Sequence, residues 1–423
     1  MTYYFPPCSA TAGYRPFAWA SNLGDDNIKT TVVTRHWESD NNSRSSFVGY
    51  NSSPNKVITF NTYKLISLPY NKTLKREIGE NWLHNFSLLR KIYYFILAIF
   101  GEINIDMDGR AAYSDFLNEY LKNEKYDVII VTAPPFNLIR LAKELSNKFN
   151  IPYIVDFRDL WNNHEMKKGF IYSGTDKILF GLIKKYISFW ISDAKLITVA
   201  TPPMVKFIQQ LAYKGKVSTL LNGFERNLYN NHIRIDGENK KFIISCIGTL
   251  YAEQDLNIFV EGFKIFLNNN PHAQLQLRFI GVGFDPNVEI ILLNSIPAKY
   301  LYTSGRVPRD EAINEALQAN ILYYAGWKGF EGVLTTKIFD YLASKKNILI
   351  APGDGSSIDD IVIKTNSGKI ANSAQEVCSL INTWYLEWEK EGIIQYKGKT
   401  EIVEKYSREN QTHYFSKLIK ELF

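Results

Sequence analysis

Short apolar runs alternate with amphipathic stretches along this chain. Thr30–Thr34 is a β-branched run, and Asp127–Thr132 has an apolar centre and ends in Ala-Pro-Pro. Leu138–Phe149 then places its apolar residues at helical spacing, and Ile151–Asp156 and Lys195–Ala200 read as further strands. In the second half the pattern predicts strands at Phe242–Ile247, Leu275–Ile280, Ile321–Tyr324 and Asn347–Ala351. It predicts helices at Leu256–Asn268, Arg309–Gln318, Thr335–Ser344 and Ala374–Trp388. Strands that are apolar throughout, rather than alternating, are buried on both faces, which means parallel sheets covered by helices. The fold class is therefore α/β, with two Rossmann-like doubly wound domains in series. The break is expected at Thr201-Pro202-Pro203. That gives an N-terminal domain over 1–203, and a linker with a C-terminal domain over 204–400, in which Leu220–Lys241 is polar connector. Glu401–Phe423 reads as a charged helix outside the second core that packs back on the first domain.

At 423 residues the chain is too long for one core. A hydrophobic fraction of 45% with 22% charged residues excludes disorder, collagen and coiled coil as the main architecture. Cys8, Cys246 and Cys378 lie far apart, so neither a disulfide framework nor a zinc knuckle is expected, and a reducing compartment fits. The six histidines show no H-x-x-x-H spacing, and no metal is expected. Asp106-Met-Asp108 is a D-x-D pattern with no nucleotide loop nearby, and reads as surface loop. The longest uncharged apolar run, Ile92–Phe100, falls far short of the ~18 residues that span a bilayer. The start lacks a basic region ahead of an apolar one, which points to the cytoplasm.

Charge is unevenly spread. Up to residue 202 there are 24 Lys and Arg against 19 Asp and Glu; beyond it, 25 against 24. The excess in the first half fits a solvated basic face, or attraction to phospholipid headgroups or a polyphosphate. The basic residues are scattered and form no recognition-helix cluster, so nucleic acid is not an expected partner. Lys72–Phe100 combines Lys72, Lys75, Arg76, Arg90 and Lys91 with Trp82, Phe86, Tyr93, Tyr94 and Phe95. Such a helix either lies in a membrane interface or packs its apolar face on the first sheet.

In open α/β sheets ligands bind at the carboxyl ends of the strands. The residues expected there carry a resemblance. Glu331-Gly-Val-Leu-Thr-Thr-Lys-Ile-Phe-Asp-Tyr-Leu-Ala-Ser-Lys-Lys-Asn-Ile-Leu-Ile350 is similar to the helix-and-strand signature of the GT-B glycosyltransferases of retaining glycosyltransferase family 4. Gly248-Thr249, Gly281-Val-Gly283 and Gly305-Arg-Val307 precede it in the family's order. In the first half Gly13, Arg15-Pro16, Pro134-Pro135 and Asp156-Phe157-Arg158-Asp159 continue the likeness. The resemblance implies two domains facing across a cleft and a nucleotide-diphosphate sugar as co-substrate. It implies transfer to a glycan or lipid-linked glycan, with no metal or other cofactor.

The chemistry gives these residues roles. A diphosphate gains charge as its sugar departs, and amides at a helix N-terminus with a cation stabilise it. Gly332 and Val333 precede the helix, and Lys337 lies in its first turn. Asp340, three residues on, can accept from ribose hydroxyls where the family usually has Glu. Glu331, Gly248, Thr249, Gly281, Gly283 and Val307 complete the expected donor site. An exposed Lys–Asp pair on a surface helix is the plain alternative for Lys337 and Asp340. Asp156 or Asp159 can orient an acceptor hydroxyl, and Arg158 can bind a phosphate or sugar carboxylate; the alternative is an internal Arg–Asp pair. Gly13 and Arg15 are the expected acceptor contacts. The expected setting is capsule, O-antigen or exopolysaccharide synthesis at the inner face of an anionic membrane. Two rivals share the pattern. One is a UDP-sugar 2-epimerase of the same fold. The other is a nucleotide-binding partner subunit without turnover, prompted by Gln254 and Gly332 where relatives often carry Arg and Glu.

Overall fold

A computed structural model describes residues 1–8, 10–37, 53–70, 87–90, 92–93, 107–171, 174–230, 241–251, 253–282, 286–327 and 329–423. The chain divides into two compact units. The first holds Met1–Glu165, Gly169–Leu221 and Gln411–Phe423; the second holds Met166–Lys168 and Asn222–Asn410.

The first unit contains β1 (Thr30–Arg35), β2 (Lys56–Thr59), β3 (Tyr63–Leu68), β4 (Ile129–Ala133), β5 (Tyr153–Phe157), β6 (Leu196–Val199) and β7 (Lys216–Thr219). Its helices are α1 (Tyr14–Asn22), α2 (Met107–Asn123), α3 (Asn137–Phe149), α4 (Gly174–Ile191) and α5 (Met204–Gln209). Strands β4-β5-β6-β7 form a parallel sheet, and β1-β3-β2 a second one in which only β2 is antiparallel. The first residues of the chain join the two. The Met1 amino group donates to Ile130 O at 2.6 Å, Thr132 N to Met1 O at 3.2 Å, and Thr2 N to Val33 O at 3.1 Å. Backbone hydrogen bonds of Met1 and Thr2 thus bridge β4 of one sheet and β1 of the other. Strand β5 is buried at every position, as a central parallel strand must be.

The second unit contains β8 (Phe242–Ile247), β9 (Leu275–Ile280), β10 (Leu301–Ser304), β11 (Ile321–Ala325), β12 (Asn347–Ala351) and β13 (Gly368–Ile370). Its helices are α6 (Arg226–Asn230), α7 (Asn257–Asn269), α8 (Pro286–Ser295), α9 (Arg309–Gln318), α10 (Thr336–Ser344), α11 (Ser357–Thr365), α12 (Ala374–Glu391) and α13 (Thr400–Val403). All its strands run parallel in the order β10-β9-β8-β11-β12-β13, the dinucleotide-fold order whose switch point lies between β8 and β11. One face is held by aromatics: Phe259 of α7 stacks on Tyr323 of β11 with ring centroids 3.8 Å apart, and Phe263 and Phe266 extend the row. Helix α12 is capped at both ends. Ser373 accepts from Glu376 N at the start, and Gly392, at φ +74°, closes the end.

The expected break at 201–203 is corrected. Thr201-Pro202-Pro203 leads into α5, where a proline suits a helix start, and β7 then pairs with β6 over Leu196–Val199. Leu220, fully buried beside Trp19 and Phe415, anchors the chain in the first unit up to Leu221. At the other end the crossing falls at Asn410–Gln411, inside α14 (Arg408–Lys420), rather than at 401. Lys72–Phe100 lies outside the described residues except for 87–90 and 92–93. Asp106 also lies outside them, while Met107 and Asp108 begin a helix, not a loop.

Candidate functional site

The switch point of the second sheet gathers several of the expected donor residues. Gly248 ends β8 at φ +94°, a conformation that favours glycine, and a Cβ there would stand 2.8 Å from Lys337 Cε. Gly281, ending β9, packs backbone to backbone on Gly248, with its Cβ position 3.3 Å from Gly248 Cα. Lys337 Nζ donates to Thr249 O, tying α10 to the β8 loop. Burial lowers the Lys337 pKa below the ordinary lysine value.

The start of α10 is uncapped. Thr335 is its extended N-cap and makes no side-chain cap, so the first-turn amides of Thr336, Lys337 and Ile338 have no side-chain partner at the cap. The helix thus starts one residue later than expected. Thr335 Oγ1 is instead 3.1 Å from Tyr324 OH. Gly332, at φ +69°, turns the chain toward this end. Val333 is half-buried beside it. Glu331 is exposed and pairs with Lys168 at 3.1 Å. Gln254 fixes the β8 loop, donating to Ala325 O at 2.6 Å and accepting from Tyr251 N at 3.1 Å. Gly283 lies outside the described residues, and Val307 is half-buried two residues before Arg309.

Asp340 sits in a polar network that the sequence did not reveal. Its Oδ1 is 3.9 Å from Arg309 Nη2, and Tyr229 of α6 hydrogen-bonds to it. Arg309 Nη1 also donates to Glu225 Oε1 at 3.1 Å, and Arg408 Nε lies 3.6 Å from the same oxygen. Burial pushes the Asp340 pKa up, while Arg309, Arg408 and Tyr229 pull it down. The Asp340 side chain keeps 36% of its surface open, enough to meet a ligand. Tyr229 and Glu225 lie in the stretch read as polar connector, where no periodicity marks them.

The first unit departs from expectation. Asp156 is fully buried and takes Arg15 Nη2 at 2.6 Å, Arg15 Nε at 3.1 Å and Thr198 Oγ1 at 2.7 Å. Arg15 spends its remaining donor on Leu220 O and Leu221 O at 2.6 and 3.0 Å. The hydroxyl-orienting role for Asp156 and the acceptor contact by Arg15 are therefore replaced by an internal ion pair. Arg158 is likewise committed: it donates to Ala12 O at 2.7 Å, Ala133 O at 3.4 Å and Pro134 O. It ties its own loop to the Ala12 turn and to the end of β4 at the carboxyl edge of the sheet, rather than holding a phosphate. Gly13 is buried, its Cβ position 3.4 Å from Phe5 Cα, and serves close packing. Asp159 is the exposed member of the group.

No family model matches the sequence, and no curated protein matches it either. Solved structures do match. Sucrose-phosphate synthase from Thermosynechococcus elongatus superposes with a TM-score of 0.58 at 13% identity, over 98% of this chain and 94% of that one. The E. coli trehalose-6-phosphate protein bound with UDP-2-fluoro glucose gives 0.61 at 12%, over 100% and 97%. Anabaena HepE in complex with UDP and glucose gives 0.53 at 13%, over 74% and 83%. At these identities the likeness is one of fold: two Rossmann-like α/β domains of the kind the GT-B glycosyltransferases carry.

Proposed function

We propose that this chain is a glycosyltransferase that takes a sugar from a nucleotide-diphosphate donor. The observation that carries the reading is the convergence of the Gly248–Thr249 loop, the uncapped start of α10 and Lys337 at the switch point, with Asp340 one turn along. Lys337 and the first-turn amides stabilise the departing diphosphate, and Asp340 takes the ribose. The reading is supported by the fold neighbours, of which one is bound with UDP-2-fluoro glucose and another with UDP and glucose. We take the chain to be of the retaining family 4 type, on the strength of Glu331–Ile350. In that reaction the leaving phosphate accepts the acceptor's proton, so the path requires no protein nucleophile and no metal. The acceptor is a lipid-linked surface-glycan intermediate, reached at the cytoplasmic face of the membrane. We assign Asp159, the exposed carboxylate of its loop, to the acceptor side.

The test is a thermal-shift panel of UDP-, GDP-, ADP- and CMP-sugars, followed by transfer to lipid-linked glycans. A donor at a hundredfold excess over its Kd adds about 2.7 kcal/mol, a shift of several degrees. No shift with any of the four overturns the reading. Free epimerised sugar formed without acceptor assigns a 2-epimerase instead, and binding without turnover assigns a partner subunit.

A further inference from the structure

Helix α4 of the first unit is apolar on the side that should be polar. Its core side is set by Ile183, Ile187, Trp190 and Ile191, all buried. The opposite stripe, at helical spacing, runs through Ile178, Leu182, Lys185 and Phe189. Ile178 is 58% exposed and Phe189 64%, and Ile171, just ahead of the helix, is 82% exposed. Three large apolar side chains and one lysine thus occupy the outward stripe, an apolar surface that a helix facing water normally avoids.

We infer that this face of α4 docks on an anionic phospholipid surface. Charge decides between a bilayer and a second copy of the chain. Lys177 and Lys185 are exposed, and neither has an ion pair with a described residue. Lys184 is answered by Glu165, and Lys143, whose ammonium lies 4.7 Å from the Phe189 ring, is answered by Asp193. The stripe itself carries no acidic residue: Asp193, just beyond the helix and beside Phe189, is already held by Lys143 and Ser192, and Asp176 projects to the other side of the helix. Pairing two copies through this stripe would bury Lys185 with no carboxylate to meet it, which is costly. At a bilayer the same lysine extends its apolar stem along the surface and places its ammonium among phosphates, while Ile178 and Phe189 enter the acyl boundary. Among the described residues no helix is long and apolar enough to cross a membrane, so the contact is peripheral. The inference deepens the proposed lipid-linked acceptor by naming the surface that would meet its bilayer.

Vesicle co-sedimentation without donor or acceptor tests docking apart from turnover. The native chain should pellet with phosphatidylglycerol-containing vesicles at low salt and poorly with phosphatidylcholine alone. Lys177→Glu combined with Lys185→Glu should lower binding about tenfold or more. Ile178→Ser combined with Phe189→Ser should remove the share that survives high salt. All four positions face solvent or lie half-open, so unchanged circular-dichroism melts will show that the variants fold. The inference is overturned if the native chain does not pellet, or if both variants bind as it does. It is also overturned if light scattering finds a dimer that Ile178→Ser with Phe189→Ser splits while vesicles are ignored. Loss of docking with donor binding intact leaves the glycosyltransferase reading standing; donor-binding failure with docking intact does the reverse.

Discussion

Arg15 grips the Asp156 carboxylate with two parallel hydrogen bonds, Nε to Oδ2 at 3.1 Å and Nη2 to Oδ1 at 2.6 Å, in the interior of the first unit. The side chains are 4% and 0% exposed, so both charges have lost their water. Such a pair stands only because the remaining groups are answered as well, here by Thr198 and two carbonyls. It joins α1, β5 and the end of the chain's first passage through this unit, at Leu220 and Leu221. Removing one partner leaves a buried charge alone. Arg15→Ala and Asp156→Asn should each cost about 3–5 kcal/mol in a urea melt. An Asp156→Asn protein with an unchanged midpoint and no turnover would return the carboxylate to the chemistry.

Arg158 makes a second, separate prediction. It donates to the carbonyls of Ala12, Ala133 and Pro134, and its guanidinium lies 5.3 Å from the Tyr4 ring. Burial pulls its pKa below the ordinary arginine value, with Asp159 and Asp156 opposing the shift. Lysine cannot reproduce a fork that reaches three carbonyls on two loops. Arg158→Lys should therefore cost about 2–3 kcal/mol, close to what Arg158→Ala costs. Hydrogen exchange should quicken first around Ala12 and Pro134. Stability unchanged in both variants would show that the contacts carry no weight.

The parallel strands were legible because burial on both faces leaves an unbroken apolar run. Phe242–Ile247, Leu275–Ile280 and Asn347–Ala351 are strands over the very residues the pattern marks. Shorter edge strands escaped. Lys216–Thr219 and Leu301–Ser304 have mixed burial, and Gly368–Ile370 spans only three residues. The bridging role of Met1 and Thr2 rests on partners more than thirty and more than a hundred residues away, which no local pattern carries. At the site, glycines and the helix carrying Lys337 were readable because turns and helix starts have local signatures. The roles of Arg15 and Asp156 were not. An arginine and an aspartate read the same whether they face a ligand or each other, and only the fold brings residues 15 and 156 together.

Lys337 is the residue on which the donor reading turns. Its ammonium now donates to Thr249 O, and a diphosphate would compete with that carbonyl for it. Lys337→Ala should slow transfer by about 2–4 kcal/mol, the range of a lost oxyanion donor. The same change should weaken binding of the nucleoside diphosphate while leaving the nucleoside alone untouched. Turnover at the native rate would remove Lys337 from the site.

Asp340 allows a prediction in which pH and ligand chemistry check each other. Burial raises its pKa above the ordinary 3.8, against the pull of Arg309, Arg408 and Tyr229. The folded state then holds a proton that the unfolded state has released. Stability from this group is full below 3.8 and is lost as pH rises through the higher folded value. Asp340→Asn should therefore gain on the native protein across that window and keep the gain at neutral pH. Arg309→Met removes the nearest cation, at 3.9 Å, and should move the window further up. If the melts of native and Asp340→Asn run parallel at every pH, the carboxyl is ordinary and its burial immaterial. The cost of holding a carboxylate there is reasonable if a ligand uses it. Asparagine keeps the shape but loses the charged acceptor, so Asp340→Asn should weaken UDP about tenfold and inorganic pyrophosphate hardly at all. Calorimetry with both ligands separates the cases. Equal losses would mean that Asp340 shapes the pocket without touching a ribose, and no loss for either would leave the Tyr229–Asp340–Arg309 network a purely structural one.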